Sequence, residues 1–105
     1  MRIGVIGSGT MGNGIAHTFA LNGYQVLLHD IKEEFLERGL STIKKNLNRF
    51  LDKGKITKED ISLTLKNIST TISLEEMKNR DLIIEAATEN LDIKSSIFND
   101  DWSKE

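Results

Sequence analysis

Along this 105-residue chain the spacing of apolar residues switches repeatedly between strand-like and helical periods. Ile3, Val5 and Ile6 form a short apolar run, and residues 25–30 hold Val26, Leu27 and Leu28 at their centre. Runs of this length, bounded by turn residues, predict buried strands. Between them Met11, Ile15, Ala16, Phe19 and Ala20 recur at helical spacing, and Asn22 with Gly23 supplies a stop. The next pattern is longer. Leu36, Leu40, Ile43, Leu47 and Phe50, spaced alternately four and three apart, predict one helix over 31–53 with a single apolar stripe. At about 1.5 Å per residue this is a rod of roughly 33 Å, longer than a strand-to-strand crossover needs, so it should project beyond the sheet.

Gly54 ends the rod, and Thr57 with Asp60 three residues on forms a capping-box pattern for a second short helix carrying Ile61 and Leu65. Residues 68–72 predict a third strand, Ser73 with Glu76 a second capping box for a brief helix, and 81–87, DLIIEAA, a fourth and strongly apolar strand. Asn90 is placed to cap a last helix with Ile93, Ile97, Phe98 and Trp102 on its buried side. Strands alternating with helices predict an α/β fold, a doubly wound parallel sheet, with a helical hairpin projecting after the second strand. No repeat, low-complexity tract or linker divides the chain, so residues 1–105 form one domain.

Chemistry concentrates at the first turn. Gly7, Gly9 and Gly12 are spaced G-x-G-x-x-G directly after the first strand and at the start of the first helix. Gly7 permits a sharp exit from the strand, Gly9 leaves room for a pyrophosphate against the backbone, and Gly12 allows close packing of helix on strand. The first helical turn, which carries Thr10 and Met11, directs its free N–H groups and the positive end of the helix dipole at the same place. The second strand ends in Asp30, eighteen residues beyond Gly12. A carboxylate there accepts hydrogen bonds from the adenosine ribose and repels a 2′-phosphate, which argues for NAD rather than NADP. Asp30 is also placed to cap the following helix.

Composition narrows the reading further. Hydrophobic residues make up 38% and charged residues 29%, and the net charge of −2 offers no electrostatic case for nucleic acid or an anionic membrane. No apolar stretch approaches the roughly 20 residues of a bilayer span. There is no cysteine, hence no disulfide or thiolate chemistry, and the chain enters a strand without a charged leader, so a cytoplasmic location is expected. His17, in the glycine-loop helix, and His29, at a strand end, fit polar or partly exposed structural positions better than proton transfer.

GSGTMGNGIA at the start, the hairpin with LDKGKITKED, and DLIIEAATENLDIKSSIF near the end resemble the N-terminal part of the 3-hydroxyacyl-CoA dehydrogenases, most closely the bacterial 3-hydroxybutyryl-CoA dehydrogenases. The resemblance runs from residue 1 to about 99 and implies a Rossmann-type fold, NAD as cofactor, and oxidation of the 3-hydroxyl of a short-chain acyl-CoA or the reverse reduction. It implies Gly7, Gly9, Gly12, Asp30, Ala86, Glu89 and Lys94 as cofactor-binding positions, and Asn46 and Lys53 as positions facing coenzyme A. Without it, Glu89 and Lys94 read equally well as solvated charges. The family's catalytic histidine and glutamate lie in a later H-x-x-N-P-x-x-x-M-x-L-V-E stretch, preceded by N-T-S-S; neither occurs in these 105 residues. The resemblance therefore implies no catalytic residue here, and a C-terminal helical substrate and dimerisation domain lying outside the chain. A stand-alone NAD-binding module and a folded remnant without activity are the alternatives. With the sheet ending at four strands, the fourth becomes an exposed edge, through which self-association is expected.

Overall fold

The computed structural model describes residues 1–86 and the backbone of residues 92–95. Its elements follow in the order β1 (Arg2–Ile6), α1 (Thr10–Leu21), β2 (Gln25–His29), α2 (Glu33–Asp52), α3 (Lys58–Lys66), β3 (Ile68–Thr71), a 3₁₀ helix (Leu74–Asn79), β4 (Leu82–Glu85) and β5 (Asp92–Ser95). The sheet order is β3-β2-β1-β4-β5, with β1 to β4 parallel and β5 antiparallel to β4. Chain reversal from β1 toward β2 on one side and β4 on the other makes the crevice at the C-terminal end of β1 the place where such folds bind ligands.

Period-two alternation divides the core between the two faces of the sheet. Ile3, Val5, Val26, Leu28 and Ile84 point to one face and pack with Ala16 and Ala20 of α1 and with Leu36, Ile43 and Leu47 of α2. Ile6, Leu27 and Ile83 point to the other, where Met77 of the 3₁₀ helix covers them. A Cβ on Gly4 would lie 2.5 Å from the Met77 sulfur, so the missing side chain lets this helix settle onto β1.

The hairpin forms as its pattern predicts. The stripe on α2 buries Leu36, Ile43 and Leu47, with Leu40 and Phe50 half-buried. Gly54 takes a φ of 72°, open to glycine without strain. Both arms of the Thr57 capping box are made: the Asp60 N–H donates to Thr57 Oγ1 at 3.1 Å and the Thr57 N–H to Asp60 Oδ2 at 2.9 Å. The second predicted box is not formed. Ser73 precedes the 3₁₀ helix without a side-chain cap bond, and its N–H donates instead to Thr71 Oγ1 at 3.0 Å.

The end of the sheet departs from expectation. Residues 92–95, predicted within a last helix, are strand β5, paired in register from Leu82 opposite Ser95 to Glu85 opposite Asp92. The fourth strand is therefore bonded on both sides and is not an exposed edge, which removes the ground for self-association through it. Outward N–H and C=O groups of β4 need partners, and the alternation of Asp92, Ile93 and Lys94 suits a short strand as well as a helix. Asn90, Ile97, Phe98 and Trp102 lie outside the described residues.

Candidate functional site

β1 leaves the sheet through Gly7, whose φ of 100° belongs to glycine, and the Gly7 N–H donates to the His29 carbonyl at 2.8 Å, tying the loop to the end of β2. The Ala86 N–H donates to the Ile6 carbonyl at 2.8 Å, tying it to the end of β4. A Cβ on Gly12 would lie 1.6 Å from the Gly7 oxygen, so only glycine lets α1 approach the loop this closely. A Cβ on Gly9 would meet nothing within 4 Å: its hydrogen faces open space above the loop. The first α1 ladder bond runs from Asn13 N–H to the Gly9 carbonyl, so the N–H groups of Thr10, Met11 and Gly12 precede the ladder.

Asp30 stands across the loop from this helix end. Its Oδ2 accepts from the Ser8 N–H at 2.8 Å and the Ser8 hydroxyl at 2.6 Å, and its Oδ1 from the Ile31 N–H at 2.7 Å. Partial burial pushes its carboxyl up, but the Ser8 bonds, the Ile31 bond and the neighbouring His29 outweigh this and hold it below the ordinary value. It is ionised at neutral pH. α2 begins two residues later than its pattern suggests, with Lys32 at the cap position, so Asp30 does not cap it; the carboxylate braces the glycine loop instead.

The loop and α2 enclose a cleft of about 420 Å³. One wall is Gly7 to Thr10 with Asn13; the other is Phe35, Arg38, Gly39 and Thr42 from the first half of α2; Asp30 and Ala86 complete it. The walls touch at Ser8. Its hydroxyl lies 3.1 Å from the Phe35 carbonyl as well as 2.6 Å from Asp30, and Gly39 packs so closely that an added Cβ would lie 2.9 Å from the Ser8 oxygen.

Of the sequence-derived positions, Gly7, Gly9, Thr10, Asp30 and Ala86 line this cleft. Gly12 lies beneath the loop, and Met11 projects outward, 43% exposed. Glu89 lies outside the described residues, and the backbone of Lys94 is in β5 opposite Ile83. Asn46 accepts from Arg49 Nη2 at 3.0 Å, and Lys53 closes α2 at its far end. His17 is buried against Phe50, ring centres 5.6 Å apart, and burial lowers its pKa. Sequence reasoning missed Ser8, Asn13 and the α2 wall. The one available signal was Gly39, a weak helix former inside a long amphipathic helix.

A helix N-terminus above a glycine turn, facing an ionised carboxylate at the crevice of a parallel sheet, defines the class: a dinucleotide-binding α/β domain of the Rossmann type. Residues 2–101 match the family described as 3-hydroxyacyl-CoA dehydrogenase, NAD binding domain. The chain belongs to that family and is its NAD-binding domain. It is similar to a probable 3-hydroxybutyryl-CoA dehydrogenase of Deinococcus radiodurans, 43% identical over 98 residues, which are 93% of this chain and 35% of that protein. It is 44% identical over 96 residues to the 3-hydroxyadipyl-CoA dehydrogenase of Escherichia coli, covering 91% of this chain and 20% of the relative. The crystal structure of (S)-3-hydroxybutyryl-CoA dehydrogenase from Ralstonia eutropha superposes with a TM-score of 0.82 at 39% identity, over 85% of this chain and 31% of that one. The chain thus spans about a third of the Deinococcus and Ralstonia relatives.

Proposed function

We propose that this domain serves a 3-hydroxyacyl-CoA dehydrogenase acting on short-chain acyl-CoA, and that it holds NAD(H) with the adenosine ribose on Asp30 and the pyrophosphate over Gly7, Gly9, Thr10, Met11 and Gly12. The residues fit the cofactor. The loop is open above Gly9, N–H groups precede the α1 ladder, and Asp30 Oδ1 retains acceptor capacity beyond its bond from Ile31. Bound there, NAD(H) would supply hydride transfer to and from the carbon that bears the 3-hydroxyl. Ala86, Glu89 and Lys94 complete the cofactor positions in this reading, and Asn46 and Lys53 meet coenzyme A along α2, about 12 and 22 Å along the helix axis from Arg38 at 1.5 Å per residue.

The observation that carries this reading is Asp30, ionised and fixed at the end of β2. These 105 residues hold no counterpart of the family's histidine and glutamate pair, so turnover belongs to an assembly that supplies it. The proposed location is the cytoplasm.

Titration of the chain with NADH, NADPH and, for Asp30→Asn, NADH again tests the reading. A charge-assisted hydrogen bond is worth about 1.5–3 kcal/mol, so Asp30→Asn weakens NADH about tenfold or more. NADPH binds the wild type much more weakly than NADH. Failure of NADH to saturate at millimolar concentration would refute the assignment.

A further inference from the structure

We infer that Arg38, on the α2 wall, is the cation that receives the phosphates of the bound dinucleotide, a role resting on the proposed NAD(H) site. The argument begins with charge. The glycine loop contributes N–H groups and a helix end worth about half a positive charge, while Asp30, held ionised, places a full negative charge in the same cleft. A pyrophosphate adds two more negative charges. Among the described residues lining the cleft, Arg38 is the only cation.

Arg38 is also held apart from the charge it would ordinarily pair with. Asp30 and Arg38 line one cleft, yet among the described residues no ion pair joins them. Asp30 is anchored by Ser8 and Ile31, whereas the Arg38 guanidinium stands over the Phe35 ring, 5.8 Å from its centre. Phe35 is braced in turn by the Ser8 hydroxyl at its carbonyl. Two opposite charges are thus kept at separate stations, the carboxylate for a diol and the guanidinium for an anion. An arginine fork matches phosphate oxygens better than any other side chain. Lys32 provides an internal control: its ammonium also lies over the Phe35 ring, 5.7 Å from the ring centre, but it does not line the cleft.

Calorimetric titration of the full chain with NADH, ADP and adenosine, for the wild type, Arg38→Gln and Lys32→Gln, tests the inference. Arg38→Gln should weaken NADH and ADP about tenfold, flatten the dependence of both on salt, and leave adenosine within about twofold. Lys32→Gln should change all three by less than about twofold. Three results overturn the inference: unchanged NADH and ADP binding in Arg38→Gln, an equal loss for adenosine, which would make Arg38 an aromatic-stacking partner, or an equal effect of Lys32→Gln, which would make the attraction one of diffuse charge. A wild type that binds NADH with sensitivity to Asp30→Asn but not to Arg38→Gln refutes this inference alone. One that binds neither NADH nor ADP refutes both.

Discussion

Three glycines lie inside helices, and replacing each with alanine separates backbone propensity from packing. In an exposed helix interior the change stabilises by about 0.5–1 kcal/mol, because glycine loses more backbone freedom on folding. Gly14 of α1 is exposed, and an added Cβ there would meet nothing within 4 Å, so Gly14→Ala should gain that full amount. Gly39 of α2 has the same local chemistry but faces Ser8. Its Cβ would lie 2.9 Å from the Ser8 carbonyl oxygen and 3.2 Å from Ser8 Cβ, so α2 must retreat from the glycine loop by several tenths of an ångström. Overpacking of this kind costs about 1–3 kcal/mol, leaving Gly39→Ala neutral to about 2.5 kcal/mol destabilised once propensity is credited. Gly12 allows no adjustment: a Cβ 1.6 Å from the Gly7 oxygen breaks the loop, and the loss should exceed about 3 kcal/mol. Urea unfolding followed by circular dichroism orders the three. At about 4–8 °C per kcal/mol for a domain near this size, thermal midpoints separate them too. If Gly39→Ala stabilised as much as Gly14→Ala, the close contact between α2 and the loop would be wrong, and with it the two-walled cleft.

Ser8→Ala removes the hydroxyl shared between Asp30 and the Phe35 carbonyl, and should cost about 1.5–3 kcal/mol, read as a lower urea midpoint at neutral pH. The Asp30 carboxyl lies below its ordinary value in the fold, so its contribution is full above the unfolded pKa and is lost as pH falls through the folded one. Acid unfolding of Asp30→Asn should accordingly be less steep. Burial lowers the pKa of His17 and His29, so the unfolded chain takes up protons first and stability should fall as pH drops through the ordinary value of 6.5. His17→Phe should flatten that decline in urea midpoints measured from neutral to mildly acidic pH; an unchanged slope would show that His17 is not the proton acceptor. Lys53→Glu should weaken coenzyme A binding about tenfold if α2 carries that ligand, and leave NADH unchanged.

Much of the fold was written in local pattern. The stripe Leu36, Leu40, Ile43, Leu47 and Phe50 marked α2 because helical geometry alone brings positions three and four apart onto one face. Thr57 and Asp60 marked the start of α3 because the capping box is closed within four residues. The strands were legible as apolar runs between turn signals. Ser73 and Glu76 carried the same local signal, but the Ser73 N–H bonds to Thr71 Oγ1 and the segment packs its Met77 onto β1 as a 3₁₀ helix. Strand β5 was misread because Asp92 to Ser95 is too short for periodicity to decide; what decided it was a row of β4 backbone groups in need of partners.

The site divides in the same way. By itself the sequence determined the glycine turn, the helix above it and the acid ending the next strand, since each depends on conformational freedom or spacing within a few residues. Only the tertiary structure decided that Asp30 is gripped by Ser8, that Gly39 lets α2 press against the loop, and that Arg38 lines the same cleft as the start of α1 without pairing to Asp30. Those contacts join residues roughly 20 to 30 positions apart, and their hydrogen bonds and close approaches exist only once the sheet has brought β1, β2 and α2 together.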